Sequence, residues 1–490
     1  MPEPAVHDAS PAQPVAASPP DLDALRARVR PFEEAELALE RAVVGSEPWI
    51  SEREENGLRY ALNLARVTRV RAPDGQDVDL TDFLAPWREE VLPAIEPALL
   101  RGSGIDRRST AQLAEWLAQR ARAWRRQIAE TFAGRLPIQA VDREVCEKAL
   151  VLVCGGGGGV AYVALGGFAL LEQYNIAPRF LAGASMGSIL LLFRARRIHY
   201  SAEEIADVVR KLSFRTLFRF LQTESRYGLP AAMRLYLRHG IGEFLKGPDG
   251  HPLTLGQLPI PFIVAVTGVR NGALPHDASY YENLVDVSGP ALLRPHAIKR
   301  MASRILNTTT ELVTQRERFV RLYLGSDEHT RDFDAIDAVG FSSALPGVIH
   351  YDVLREDERM HQLLSELFAR YDLFRLVDGG ISDNVPARAA WAKVQEGVLG
   401  TRNAFVLALD GFAPKIGQPL WFGLEQVVAQ NVARNRPYIH VHKAFTRVLS
   451  PIEVVPGERQ LQRVIQWGKQ ELLPDMPLIA RMLRPFPALV

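Results

Sequence analysis

The sequence has few cysteines and almost no net charge. Cys146 and Cys154 are the two cysteines in 490 residues, too few for a disulfide framework, and no cysteine or histidine spacing resembles a zinc site. A reducing compartment fits this content, although a cysteine-poor secreted protein would look the same. The 58 basic and 57 acidic residues give a net charge of +1, so no overall field favours nucleic acid or an anionic membrane, and only a local basic face is compatible with this composition.

An export signal and a membrane span are also missing. The first 20 residues carry prolines, alanines and acidic residues where a signal peptide needs a basic end and an apolar run. We expect a disordered leader over residues 1–20 and a location that is cytoplasmic or peripheral at a membrane. The uncharged stretch 149–171 is long enough to cross a bilayer. Gly155 to Gly159 interrupt it, which favours a strand, a tight loop and a helix over a transmembrane segment.

Residues 21–147 have the pattern of a mostly helical N-terminal region. The turn signal at 72–75 predicts a small hairpin between Val67 and Leu80. A helix is predicted to begin near Ser109, with apolar residues at helical spacing on one face. Its other face carries a basic set, which is either a solvated surface or a docking surface for anionic lipid or a partner: Arg120, Arg122, Arg125 and Arg126.

From residue 148 onward, short apolar runs alternate with loops and apolar helices. This order predicts a three-layer α/β/α fold with a mainly parallel central sheet. We expect the main domain at 148–395, then a last strand and a helical C-terminal extension at 396–490. The predicted strands are 149–153, 179–182, 261–267, 319–323 and 404–409.

The segment Gly183-Ala-Ser185-Met-Gly187 matches the pattern of a nucleophile elbow, G-x-S-x-G. In such an elbow the serine occupies a strained strand-to-helix turn, and the two glycines let strand and helix approach closely. Alone, the pentapeptide also fits a buried serine at the start of a helix. Its position after a predicted strand and before an apolar helix favours the elbow.

Gly155 to Gly159 follow a predicted strand of their own. Such a loop can direct several backbone N–H groups at one oxygen, as a phosphate cradle or an oxyanion hole does. No G-K-[ST] follows the loop, and the spacing of a dinucleotide-binding fingerprint is not met. An oxyanion hole is therefore the better interpretation.

Asp378 ends a predicted strand and precedes Gly379 and Gly380, in the segment Asp378-Gly-Gly-Ile-Ser-Asp-Asn384-Val-Pro386. A carboxylate on such an uncrowded turn suits a base that must reach a hydroxyl. It equally suits a metal ligand or an ordinary turn aspartate.

These three segments, in this order, resemble the patatin-like phospholipase family. Three more segments agree with the family pattern over roughly residues 148–395: the strand with Gly272 at 261–272, the A-x-x-x-S-x-A-x-P-G stretch at 338–347, and the helix segment 168–172. The resemblance implies a serine-dependent lipid acyl hydrolase, similar to phospholipase A or lysophospholipase, that acts on a lipid substrate at a membrane surface. It implies no cofactor and no metal.

By this resemblance Ser185 is the nucleophile and Asp378 the general base of a dyad without histidine. The backbone around Gly156, Gly157 and Gly158 forms the oxyanion hole, Gly183 and Gly187 the elbow, and Gly379 and Gly380 the turn of the base. A carboxylate is a weaker base than imidazole, so we expect apolar neighbours to raise the pKa of Asp378.

The sequence departs from the family at two places. Val160 stands where the family's oxyanion loop commonly has an arginine, and residues 351–372 are an insertion with a helical pattern, either a lid or a packing helix. Two alternative functions remain open. One is an esterase with a Ser–His–Asp triad, and the other is a non-catalytic lipid- or partner-binding protein with the same fold.

Overall fold

The computed structural model describes residues 21–45, 47–101, 104–198, 201–220, 225–272, 319–411 and 430–489. The leader expected at residues 1–20 lies outside these ranges. Within them the chain forms an N-terminal helical region, a layered α/β region and C-terminal helices that contact both.

The N-terminal region has its own hydrophobic core, around side chains such as Tyr60 and Trp87. A capping box begins the second helix, because the Ser51 hydroxyl accepts from the Glu54 N–H and the Glu54 carboxylate accepts from the Ser51 N–H. Strands β1 (Arg69–Arg71) and β2 (Asp77–Asp79) pair antiparallel and confirm the predicted hairpin. The α-helices of the region are Leu22–Val44, Glu52–Arg66, Ala85–Ile95, Arg107–Thr131 and Ile138–Cys146, with a π-turn at Glu96–Leu100.

The basic face of helix Arg107–Thr131 is partly neutralised by neighbouring helices. Arg120 binds Glu90 with two hydrogen bonds, and Arg125 binds Asp142 through both carboxylate oxygens at 2.9 and 2.6 Å. This pairing favours a packed and solvated face over a docking surface.

Among the described residues, seven strands form the central sheet and three form a smaller one. In chain order, β3 to β12 are Ala149–Cys154, Phe180–Ala184, Phe218–Phe220, Ala231–Leu235, Phe262–Arg270, Phe319–Leu324, Gly347–His350, Leu373–Val377, Ala404–Asp410 and Val441–Ala444. The order in the large sheet is β10-β7-β4-β3-β11-β12, and β8 pairs with β7 as well. The neighbouring strands β12, β11, β3, β4 and β7 run parallel to one another. Strands β8 and β10 run antiparallel to β7. The small sheet has the order β5-β6-β9.

Helices cover both faces of the large sheet. Leu150 and Leu152 of β3 belong to one hydrophobic cluster, and the alternating Val151 and Val153 belong to another. This burial on both sides explains why the strands are continuous apolar runs, and it confirms the mainly parallel three-layer fold. The α-helices of this and the C-terminal part are Ala164–Gln173, Ser185–Ala195, Ala202–Lys211, Phe214–Leu217, Leu237–Ile241, Glu328–Arg331, Ala335–Ser342, Glu358–Tyr371, Gly380–Asp383, Ala387–Gln395, Glu458–Leu472 and Met476–Leu483.

The sheet includes the last strand that was expected after residue 395. Strand β11 lies inside it, between β3 and β12. Helix Glu458–Leu472 also packs on helix Ala164–Gln173 so closely that a Cβ atom on Gly468 would lie 2.1 Å from the Val163 carbonyl oxygen. The described parts of the C-terminal segment, residues 396–411 and 430–489, therefore contribute strands and a packed helix to the α/β region.

The insertion forms a helix that buries Met360, Leu364 and Leu367 in the main core. This burial favours a packing helix over a lid. Across the described ranges, no helix has both the length and the apolar character needed to cross a membrane.

Candidate active site

Two strand ends meet at one edge of strand β7. The last residue of β4 pairs with Ala265, and the last residue of β10, which runs the opposite way, pairs with Thr267. The residues that follow these strands, Ser185 and Asp378, are thereby brought together although they are 193 positions apart in the chain.

Ser185 occupies a strained turn and is hydrogen-bonded to Asp378. Its φ of +50° is unusual for a residue with a side chain, and its hydroxyl donates to Asp378 Oδ2 at 2.6 Å. A Cβ atom on Gly187 would lie 2.3 Å from the Gly155 carbonyl oxygen, and one on Gly183 would meet the following helix at 2.9 Å. Strand and helix therefore approach as closely as an elbow requires.

Asp378 is buried, with 6% of its surface exposed. Its Oδ1 accepts from the Gly380 N–H at 2.7 Å, and Gly379 lies against β7, where a Cβ atom would be 1.9 Å from the Ala265 carbonyl oxygen. Burial raises the pKa of Asp378 to about 6, although the Ser185 hydroxyl and the Gly380 N–H both act to lower it. The expected upward shift of this pKa is confirmed.

Ser342 connects the two sides of this site, a role that sequence reasoning missed. Its Oγ accepts from the Ser185 N–H at 2.8 Å and donates to a carbonyl of β7 at 2.6 Å. The Ser342 carbonyl accepts from the Gly379 N–H, and the Ala344 carbonyl accepts from the Asp378 N–H. The signal in the sequence was the polar residue inside the apolar stretch 338–347, which pointed to the family but to no role.

Thr267 supports the same turn from strand β7. Its buried hydroxyl donates to the Asp378 carbonyl at 2.8 Å and is 2.9 Å from Ser382 Oγ. Asp383, five residues after Asp378, accepts a hydrogen bond from the Tyr323 hydroxyl at 2.7 Å and another from the Asn435 side-chain amide. The two carboxylates of this segment therefore have different surroundings.

The glycine loop lies directly over Ser185. A Cβ atom on Gly156 would be 2.4 Å from Ser185 Cβ, so only glycine fits there. The Gly156 N–H donates to Asn384 Oδ1 at 2.9 Å and is therefore already engaged. Gly157 and Gly158 have φ values of +120° and +61°, and both line the cavity above Ser185.

Two adjoining cavities open at Ser185. The wider one has a volume of about 310 Å³ and is lined by Ser185, Asp378 and mostly apolar side chains. The narrower one, of about 70 Å³, continues from Ser185 between helices Ser185–Ala195 and Ala202–Lys211. Its walls are almost entirely apolar: Met186, Ile189, Leu190, Phe193, Ile205, Val208, Val209, Leu212, Leu217, Phe218, Leu235, Leu237 and Ile241. Such walls accommodate a hydrocarbon chain.

No histidine of the described ranges lines either cavity or bonds to Ser185 or Asp378. His350 is buried with Nδ1 3.2 Å from the Ala231 carbonyl, and His442 lies 3.2 Å from Asp410. His199, His276 and His296 lie outside the described residues. The described site thus provides a Ser–Asp pair, with no support for a Ser–His–Asp triad.

One group of carboxylates could suit a cation in principle: Asp334, Asp337 and Asp357. The guanidinium of Arg238 lies among them and forms ion pairs with all three. Tyr351 adds a hydrogen bond to Asp337. This cluster is an internal ion-pair network, because a guanidinium already fills the position that a metal would need.

Residues 152–391 match the family model of the patatin-like phospholipases. The chain contains a patatin-like phospholipase domain. The matched range includes Ser185, Asp378 and the glycine loop, and it ends before β11. No curated protein matches the chain. Proteins with this domain are generally lipid acyl hydrolases, so the match indicates an ester hydrolase that acts on lipids.

Val160 stands at the loop position where the resemblance led us to expect an arginine. Its side chain is buried and packs against Val432 and Val448. It lines neither cavity at Ser185. Valine at this position therefore packs behind the loop and contributes no side chain to either cavity.

Proposed function

We propose that the protein is a serine-dependent lipid acyl hydrolase of the phospholipase A or lysophospholipase type. The observation that carries this proposal is the 2.6 Å hydrogen bond from Ser185 Oγ to Asp378 Oδ2, at the floor of an apolar cavity. The hydroxyl lies within direct proton-transfer reach of a carboxylate, in a space that suits an acyl chain.

In the proposed mechanism, Asp378 accepts the Ser185 proton while Ser185 Oγ attacks the ester carbonyl. The backbone N–H groups of Gly157 and Gly158 stabilise the oxyanion, since the Gly156 N–H is bonded to Asn384. Collapse of the tetrahedral intermediate expels the alcohol, which takes the proton from Asp378. Asp378 then activates a water molecule that hydrolyses the acyl-enzyme.

The raised pKa of Asp378 supports this role. A carboxyl group with a pKa of about 6 is ionised at pH 7 and is a stronger base than an exposed aspartate. The strained Ser185 backbone supports it further, because a left-handed serine projects its hydroxyl out of the strand-to-helix turn.

Two measurements test the proposal. A fluorophosphonate probe should label folded wild-type protein at Ser185 and should not label Ser185→Ala. Analysis of products from phospholipid vesicles should show released fatty acid and lysolipid with wild type, and neither with Ser185→Ala. Absence of labelling in folded wild type would instead favour a non-catalytic lipid-binding protein on the same fold.

A further inference from the structure

A pair of arginines that forms no ion pair with a described residue lies on the small sheet that walls the cavity. Arg219 of β5 and Arg234 of β6 are directly opposite each other in the antiparallel register. Both guanidinium groups lie over the ring of Tyr236, each 5.2 Å from its centroid. Like charges directly opposite each other destabilise a sheet, so a nearby anion would stabilise this arrangement.

The described residues supply no such anion. Neither arginine has a carboxylate within 4 Å among the described side chains. The neighbour of Arg234 in strand β9 is His350. Burial, and then the charge of Arg234, lowers the pKa of His350 to about 4, so this histidine is neutral at pH 7. In the sequence, Glu224 is the one acidic residue between positions 212 and 242, which contain five arginines.

The arginine pair occupies the opposite face of the sheet that forms the cavity wall. Side chains alternate along a strand, and Phe218, Met233 and Ile349 line the cavity. Their neighbours Arg219 and Arg234 therefore point away from it, Arg219 exposed and Arg234 half-buried. The small sheet therefore has the cavity on one face and the two arginines on the other.

Exposed apolar side chains mark the mouth of the cavity beside this wall. Phe214 and Ile452 both line the cavity, yet they are 40% and 72% exposed. Phe214 begins the short helix that leads into β5, and the exposed Arg215 follows it directly. Apolar residues at an opening, with the exposed Arg215 next in the chain and the Arg219–Arg234 pair on the adjoining sheet, match the chemistry of an anionic bilayer surface.

We propose that this face docks the protein on an anionic phospholipid bilayer, with Arg219 and Arg234 at the headgroups and the cavity mouth toward the membrane. The proposal rests on the proposed function only in taking lipid as the substrate. The docking proposal differs from the proposed function because it assigns a membrane-binding surface, and binding at that surface does not require hydrolysis. The basic face of helix Arg107–Thr131 is the competing surface.

The test uses the full chain with Ser185→Ala, so that no lipid is hydrolysed during the measurement. Binding is measured by co-sedimentation with vesicles of phosphatidylcholine alone and with added phosphatidylserine. The test variant is Arg219→Gln with Arg234→Gln. The matched control is Arg122→Gln with Arg126→Gln, which makes the same charge change on one half-buried and one exposed arginine. Neither of them forms an ion pair with a described residue.

We expect the test variant to bind phosphatidylserine vesicles about 30-fold more weakly, because each arginine near an anionic surface contributes about fivefold. The control should bind like the parent, and rising salt should remove the parent's preference for phosphatidylserine. Equal weakening in both variants, or unchanged binding in the test variant, overturns the proposal. If the test variant fails to fold, salt-insensitive binding of the parent to anionic vesicles still overturns it.

A second readout separates this proposal from the hydrolase proposal. With active Ser185, the arginine variant should hydrolyse a water-soluble short-chain ester at the wild-type rate and vesicle phospholipid more slowly. If wild type hydrolyses neither substrate, the hydrolase proposal is wrong, and the vesicle-binding result still decides the docking face. If the variant loses both activities equally, the arginines act on the site itself and the docking proposal is wrong.

Discussion

At the residue scale, the ionisation of Asp378 controls the proposed chemistry. Its buried carboxyl has a pKa of about 6, and the carboxylate is the form that accepts the Ser185 proton. We therefore expect kcat/KM to rise as the pH increases through about 6 and to stay level above it, since this ratio reports ionisation of the free enzyme. A pH profile with a soluble short-chain ester checks this. A profile that is flat from pH 5 to 8 is the contrary outcome.

The same carboxyl should lower stability at neutral pH. Its folded pKa is above the ordinary value of 3.8, so the native state binds the proton more tightly than the unfolded chain. Stability is thus lost as the pH rises from about 4 to about 6, by up to about 3 kcal/mol. Asp378→Asn removes this cost, so we expect the variant to gain on wild type in unfolding midpoint at pH 8 and not at pH 4. An equal difference at both pH values contradicts the assignment.

Ser342 provides a third test at this scale. Removal of its hydroxyl in Ser342→Ala leaves the Ser185 N–H without its acceptor and frees the elbow to shift. We expect kcat to fall by up to about 100-fold, because a displacement of about 1 Å in a catalytic group has such an effect. KM should change little. The matched control is Thr110→Val, which removes a buried hydroxyl of the N-terminal region and should leave kcat unchanged.

Sequence reasoning reached some of the site residues and not others, for physical reasons. Ser185 and Asp378 belong to local motifs whose order along the chain is informative. Ser342 is hydrogen-bonded to Ser185, 157 positions away, and Asn384 to Gly156, 228 positions away. A linear sequence pattern does not show which distant residues a side chain will contact. The bond between Gly156 and Asn384 likewise changes which N–H groups remain for the proposed oxyanion hole.

At the scale of elements, the long apolar strands were predictable and the short ones were not. Strands β3, β4, β7, β8 and β11 coincide closely with the predicted runs. The sequence indicated only the end of strand β10, before Asp378, and none of the three strands of the small sheet. These strands have three to five residues each, and β10, β6 and β9 pair with strands that are distant in the chain. The antiparallel entry of β10, which brings Asp378 to Ser185, follows from tertiary pairing and has no local signal.

The narrower cavity leads to a prediction about helix Ala202–Lys211. Val209 lines the narrower cavity and does not line the wider one. Val209→Phe should fill much of the narrower cavity's volume of about 70 Å³. If this branch holds the end of the acyl chain, the variant should discriminate against long-chain esters and hydrolyse short-chain esters as wild type does. A chain-length series of p-nitrophenyl esters measures this. An unchanged chain-length preference places the acyl chain in the wider cavity instead.

At the scale of the whole molecule, residues near the C-terminus, such as Arg481 and Phe486, pack against the N-terminal region. Phe486 packs in the N-terminal core, with the Arg59 guanidinium 4.4 Å from its ring centroid. Arg481 forms ion pairs with Glu40 and Glu55 of the first two helices. Lys148, at the start of the α/β region, binds Glu36 at 2.8 Å. The regions predicted separately from the sequence thus share buried contacts.

We expect Phe486→Ala to lower the free energy of unfolding by about 3 kcal/mol, as removal of a buried phenyl ring does. The exposed Leu473 is a suitable comparison, and Leu473→Ala should have little effect. Thermal or denaturant unfolding measures both. Equal effects in the two variants contradict the proposed role of Phe486 in joining the regions.

The most direct test of the central claim is the acylation rate of Ser185 in wild type and in Asp378→Asn. Rapid mixing with a chromogenic short-chain ester gives this rate, and mass spectrometry locates the acyl group. The Ser–Asp account predicts acylation at Ser185 in wild type and a rate lower by about 10²- to 10⁴-fold in Asp378→Asn, as expected for loss of a general base. Acylation of folded Asp378→Asn at the wild-type rate would contradict it.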